Sequence, residues 1–216
     1  MISSPLLASV DGLLHGFGTR SEEPPPLPDL VTVKQVHGTY LYFVGEDRRI
    51  EKPGYDILMT GQPGTAIGVK TADCLPILMV EPEKRLVVAA HAGWRGPSAR
   101  IAREVVGEIV KRGGRPERLA VALGPCIGGD CYEVEQDVVH GLEGIDPSPF
   151  LKRKSETKWL LDLQEANRRE LIGCGVPPER IDKMTLCTHC RGDLFHSFRR
   201  DSNSAGRMVN FIQLIQ

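Results

Sequence analysis

The chain has no apolar run longer than a strand, so nothing in it reads as the ~20-residue span that a membrane helix requires. It has almost no charge of one sign to spare: 27 basic against 28 acidic residues leave a formal net charge of −1. That balance removes the electrostatic case for DNA, RNA or an anionic membrane as principal partner. No basic block followed by an apolar stretch opens the chain, so no signal peptide is expected and a cytoplasmic setting is the default. Aromatics are scarce at 6%. The six histidines never form a His-x-His pair, and a four-copper oxidase needs roughly ten imidazoles in such pairs.

The 216 residues are enough for one well-buried unit without cross-links. Six cysteines could form three disulfides, but length and the lack of an export signal favour free thiols or metal ligands. Cys187-Thr-His-Cys190 is a C-x-x-C, readable as a redox dithiol, as half of a zinc site, or as a buried thiol at a strand end. The partner pair that a four-cysteine site would want is missing, because Cys126 and Cys131 are separated by four residues.

Three segments place a metal-capable side chain after or at the end of an apolar, β-like run: Lys34-Gln-Val-His37-Gly, Thr71-Ala-Asp73-Cys74-Leu-Pro and Ala90-His91-Ala-Gly-Trp-Arg95-Gly. Two imidazoles and a thiolate form a donor set for zinc, and three protein ligands leave a fourth position open, as catalytic sites do. Cys74 and His91 are 17 positions apart, which suits a strand, a turn and a returning strand; His37 would arrive from another hairpin. Asp73 is expected to orient a ligand imidazole or carry a proton. Arg95, in a glycine-flanked turn, suits an anion; so do Arg199 or Arg200 in Asp193-Leu-Phe-His-Ser-Phe-Arg199-Arg-Asp. The same residues permit two other readings: a metal-free dyad with Cys74 as nucleophile and His91 as base, or copper. A blue-copper centre is disfavoured because its ligands usually cluster on one loop.

Periodicity predicts strands over 31–36 and 40–44 flanking a turn at His37-Gly38, then over 56–60, 66–70, 76–80, 86–90, 119–123, 181–187 and 208–215. A helix is predicted after Pro97, with Ile101, Val105 and Ile109 on its buried stripe, Val106 and Val110 widening it, and Gly113-Gly114 as its stop. Further helices are predicted over 133–142 and 162–174. Ser21–Pro28 is a proline-rich connection. The runs are near-continuously apolar, which suits strands covered on both faces. One α/β domain over 1–216, with mixed β-sheets and flanking helices, is expected.

Together with His15-Gly-Phe-Gly-Thr-Arg20, Gly124-Pro-Cys-Ile-Gly and Cys131-Tyr-Glu-Val, these motifs resemble the YfiH-like family, long labelled laccase-domain or polyphenol oxidase proteins and later recognised as purine nucleoside phosphorylases. The resemblance runs from His15 to Met208, nearly the whole chain. It implies a layered α/β fold likened to cysteine hydrolases of the cytotoxic-necrotizing-factor type. It also implies a catalytic Zn2+ at His37, Cys74 and His91, with copper as the alternative ion. The implied chemistry is phosphorolysis of adenosine, inosine and methylthioadenosine, and deamination of adenosine, so purine nucleosides and phosphate are the expected partners. Cys74, His91, Asp73 and Arg95 are the expected catalytic residues, and Arg20 and Arg199 the expected substrate contacts. The chain departs from the family after Arg20, where a short proline run replaces a glycine- and serine-rich stretch and a helix, and at Ser202–Ser204, which replace a more glycine-like turn.

Overall fold

A computed structural model describes residues 1–22, 24–46, 54–93, 100–142 and 146–215. Its centre is a six-stranded sheet in the order β11-β7-β5-β6-β3-β2, built from β2 (Leu41–Phe43), β3 (Ile57–Thr60), β5 (Leu75–Glu81), β6 (Leu86–Ala92), β7 (Ala120–Leu123) and β11 (Ile181–Lys183). The two outer pairs are parallel and the inner ones antiparallel. A second sheet holds β1 (Leu13–Gly16), β12 (Met208–Leu214) and β4 (Ala66–Thr71), and a third β8 (Glu133–Val134), β10 (Trp159–Leu161) and β9 (Leu151–Arg153). No helix among the described residues is long and apolar enough to cross a membrane.

Every residue of β5 and β6 is buried, and alternation along the pleat explains how. Ile77, Met79, Val88 and Ala90 face one core with helices α2 (Ile101–Lys111) and α4 (Leu163–Gly173). Leu78, Val80, Val87 and Ala89 face the other, against Ile67, Val69, Ile212 and Leu214 of the second sheet. Each of the Val, Leu, Ile and Met side chains contributes roughly 1.5–3 kcal/mol by burial.

Helix α2 buries Ile101, Ala102, Val105, Val106 and Ile109 as the periodicity requires, whereas Val110 points to solvent. Gly113, at φ +79°, and Gly114 close it by donating to the Val110 and Ile109 carbonyls, each at 2.9 Å, a Schellman stop that needs glycine at the left-handed position. Asp162 caps α4 by accepting from Glu165 N–H at 2.9 Å.

Three predicted elements come out differently. Residues 32–36 are not a strand: Val31 makes one parallel bridge to Ile67, and the Gln35 amide pairs with both backbone groups of Lys70, at 2.7 and 2.8 Å. A side chain therefore stands in for a ladder along the β4 edge. The helix predicted from Glu133 begins only at Gln136, as α3 (Gln136–His140), because Glu133 and Val134 pair with β10. The last parallel strand stops at Lys183, opposite Leu123. Beyond it Met184 N–H still donates to the Leu123 carbonyl at 3.0 Å, but Gly124 N–H is taken by the Pro76 carbonyl and Pro125 has no donor, and the next bridge is Cys126–Cys187. The short elements α1 (Pro5–Ala8), β1, β9, β10 and α5 (Phe198–Asp201) were not predicted.

Candidate metal centre and its cleft

Hairpin pairing of β5 with β6 sets Leu75 opposite Ala92 and Pro76 opposite His91. Cys74, one residue before β5, therefore lies beside His91, as the 17-residue spacing requires. His37 comes from a turn in which its own φ is +59°, and not from a hairpin. What holds that turn is Asp56. Its buried carboxylate accepts the N–H groups of Val36, His37 and Gly38 at 3.2, 3.0 and 2.8 Å. The same carboxylate meets His91 Nδ1 at 2.8 Å, while His91 N–H donates to the Asp56 carbonyl at 2.8 Å. One aspartate thus positions both imidazoles.

The three side chains converge. His37 Nε2 lies 3.9 Å from Cys74 Sγ, the imidazole centroids are 4.9 Å apart, and one ligand atom from each residue lies within 4.8 Å of the others. Tetrahedral zinc with N and S ligands at 2.0–2.3 Å brings its donors to about 3.3–3.8 Å of one another, so the donor set fits such an ion after a small contraction. Gly93 makes room for it: a Cβ there would stand 2.5 Å from His37 Cδ2 and 3.3 Å from Cys74 Sγ.

The electrostatics follow from burial and these contacts. Burial alone pushes the Cys74 thiol up, but hydrogen bonds and charge from His37 and His91 outweigh it, leaving the thiol lowered to about 7. Burial pushes His91 down, yet Asp56 and Cys74 raise it to about 9. Asp56 is lowered overall: burial opposes the shift, and the His91 hydrogen bond and the turn N–H groups overcome it.

A cleft of about 500 Å³ opens over the cluster, lined further by Gln35, Lys70, Tyr132, Phe198, Arg199 and Arg207. Phe198 is half exposed, with the Arg207 guanidinium 5.9 Å from its ring centre. Arg199 stands 5.3 Å from the Tyr132 ring centre and donates through Nη2 to the Glu133 carbonyl at 3.0 Å. Two aromatic faces and three cations therefore rim one metal-capable floor.

Not every expected residue is placed as expected. The carboxylate against the His91 imidazole is Asp56, not Asp73. Asp73, at φ +85°, accepts from Thr188 Oγ1, Ser197 Oγ and Arg199 N–H at 2.6, 3.0 and 2.6 Å, which ties the C-terminal segment to the Cys74 turn. Arg20 is not among the cleft's lining residues; its Nη1 donates to the Gly192 carbonyl at 2.6 Å. Arg200 spends all five N–H donors on Asp201 and on the carbonyls of Thr188, His189 and Phe195, which leaves none for phosphate. Arg95 lies outside the described residues. Asp56, Lys70, Tyr132, Phe198 and Arg207 were missed, although Tyr132 and Phe198 sit inside motifs singled out from the sequence.

Comparison with known proteins gives the family of the chain. The family described as multi-copper polyphenol oxidoreductase laccase matches residues 22–215. Purine nucleoside phosphorylase YlmD of Geobacillus stearothermophilus is 40% identical over 87% of this chain and 73% of its own. Adenosine deaminase RL5, from an unknown prokaryote, is 35% identical over 84% of this chain and 73% of its own. Among solved structures, that of YlmD from Geobacillus stearothermophilus superposes with a TM-score of 0.86 at 31% identity, covering 99% of this chain and 94% of that one. Motifs, fold and matches agree: the chain belongs to the laccase-domain family that includes the YfiH and YlmD proteins.

Proposed function

We propose that this chain, acting as one domain over residues 1–216, is a metal-dependent purine nucleoside enzyme. It cleaves adenosine, inosine and methylthioadenosine with phosphate to base and pentose 1-phosphate, and it deaminates adenosine. The observation that carries this reading is the convergence of His37, Cys74 and His91 under a cleft rimmed by aromatic rings and cations. Relatives named for both activities support it.

His37, Cys74 and His91 would hold a zinc ion, whose Lewis acidity polarises an oxygen and lowers the proton affinity of water. Asp56 keeps the proton on His91 Nδ1, leaving the other ring nitrogen as the donor. Phe198 and Tyr132 offer faces on which a purine stacks. Arg199, Lys70 and Arg207 supply positive charge for a phosphate dianion, and Arg199 can meet it with paired N–H groups. An oriented phosphate stabilises the oxocarbenium-like charge that develops as the glycosidic bond opens. Asp73 holds the Arg199 backbone and so the position of that cation.

A second reading has one specific observation behind it. Cys74, His91 and Asp56 are disposed like a nucleophile, a base and its orienting carboxylate, the arrangement of a cysteine hydrolase. That arrangement has no use for a second imidazole 3.9 Å from the sulfur, whereas a metal does, so the metal reading is preferred. Copper in place of zinc would bring oxygen consumption with phenols.

The test is to assay adenosine and inosine with and without phosphate, on wild type and His37→Ala, after metal removal and after resupply of zinc or copper. Phosphate-dependent release of base, lost on chelation, lost in His37→Ala and restored to wild type by zinc, is expected. Turnover that survives chelation and disappears on thiol alkylation would transfer the site to the hydrolase reading.

A further inference from the structure

A second group of soft donors lies outside the cleft, where two turns meet. The first turn, Gly128–Cys131, is closed by the Cys131 N–H donating to the Gly128 carbonyl at 2.9 Å. The second is Cys187-Thr-His-Cys190, closed by the Arg191 N–H on the Cys187 carbonyl at 3.0 Å. Cys131 Sγ lies 3.3 Å from Cys190 Sγ. One ligand atom each of Cys131, His189 and Cys190 falls within 4.8 Å of the others. Cys187 Sγ accepts the Gly128 N–H at 3.2 Å and also interacts with the sulfurs of Cys131 and Cys190.

We propose that Cys131, His189 and Cys190, with Cys187 as fourth donor, form a second site for a thiophilic cation of the zinc class, separate from the cleft, that fastens these two turns together. Three thiols and one imidazole, two of the thiols in a C-x-x-C turn, make up the Cys3His donor set of closed structural zinc sites. Thiolates select zinc or copper(I) over harder ions. Two zinc–sulfur bonds of 2.3 Å at a tetrahedral angle set the sulfurs about 3.8 Å apart, close to the Cys131–Cys190 separation.

The scaffold around the donors is already firm. Cys126 and Cys187 form a β-bridge, Thr188 N–H donates to the Cys126 carbonyl at 3.0 Å, and Arg200 Nη1 holds the Thr188 and His189 carbonyls, each at 3.0 Å. The backbone thus presents Cys131, His189 and Cys190 with little left to order on binding, while Cys187, outside their 4.8 Å group, moves toward the ion as it binds. Both turns also lead into the cleft: Tyr132 follows Cys131, and the Thr188 hydroxyl donates to Asp73. An ion at this corner would brace the wall of the cleft without touching substrate.

The experiment counts zinc on the full chain by native mass spectrometry, in wild type, His37→Ala and Cys190→Ser. In parallel, iodoacetamide labelling of Cys131, Cys187 and Cys190 is followed peptide by peptide in His37→Ala, with and without zinc. Two ions in wild type and one in each variant are expected, with zinc slowing the labelling of these cysteines at least tenfold and a chelator reversing it. The labelling needs no variant in the second site, so misfolding of Cys190→Ser leaves the test intact. Three results would overturn the proposal: no ion in His37→Ala beside one in wild type, labelling indifferent to zinc, or a Cys131–Cys190 disulfide in protein purified under reducing conditions. An ion count unchanged by His37→Ala but lowered by Cys190→Ser would overturn the cleft assignment and sustain this one.

Discussion

The two clusters of cysteine and histidine use the same donor types in different frames. His37, Cys74 and His91 are held by a buried hairpin and by one carboxylate that reaches both imidazole-bearing segments. They open onto a cleft of about 500 Å³. Cys131, Cys187, His189 and Cys190 sit on turns, and Cys190 is exposed. Their frame is made of backbone hydrogen bonds and the Arg200 clamp. Three donors facing a cleft leave a position for chemistry, whereas four donors closing on themselves leave none. What separates a reactive site from a fastening is therefore the number of protein donors and what faces the remaining position.

The comparison breaks most sharply on Cys74→Ala against Cys190→Ser. Cys74→Ala should lose the cleft ion and about a thousandfold or more in kcat/KM, a loss of about 4 kcal/mol or more. Cys190→Ser should keep kcat within a few fold and lower the melting temperature; an equal loss of kcat in both would erase the distinction. Next in size is Asp56→Asn, which should weaken metal binding about 10- to 100-fold, measured by competition with a chelating dye.

Asp56 also sets a pH signature in metal-free protein. Cys74 is lowered to about 7 beside a His91 raised to about 9. The thiolate is the species that reacts, so alkylation of Cys74 should speed up as pH rises, with a midpoint near 7 and not near 9. Asp56→Asn removes the main support of the His91 charge and should move that midpoint upward; an unmoved midpoint counts against the Asp56–His91 linkage. Smaller again is Phe198→Ala, with an expected rise in nucleoside KM of about tenfold from lost stacking and phosphate KM unchanged. The smallest effect is on stability. Ser202 sits at φ +51°, ψ −132°, a region that glycine alone enters freely. Ser202→Gly should therefore raise the melting temperature by about 2–4 °C, for about 1 kcal/mol of relieved strain.

Much of this was legible beforehand. The apolar runs over 66–70, 76–80 and 86–90 are strands because each residue faces one of two cores, so neither face needs polar relief. Cys74 and His91 were legible as neighbours because hairpin spacing is a local property. Asp56 was not, because its role depends on meeting segments 18 to 35 residues away. The strands over 151–153 and 159–161 are three residues long, too short for alternation to show. Arg200 looked like an anion site because its neighbours in sequence are polar, but Asp201 beside it takes two of its donors, the Phe195 carbonyl a third, and the Thr188 and His189 carbonyls of another loop the rest.

The sequence by itself determined the donor types, the family and the pattern of doubly covered strands, since these depend on residue chemistry and short-range periodicity. Only the tertiary structure decided that Asp56 rather than Asp73 supports the imidazoles, that Arg199 and not Arg200 or Arg20 lines the cleft, and that Cys131 meets Cys190 across 59 positions. The physical reason is common to all three. A side chain's partner is set by which loops pack together, and sequence separation carries almost no information about that once the chain has crossed a sheet.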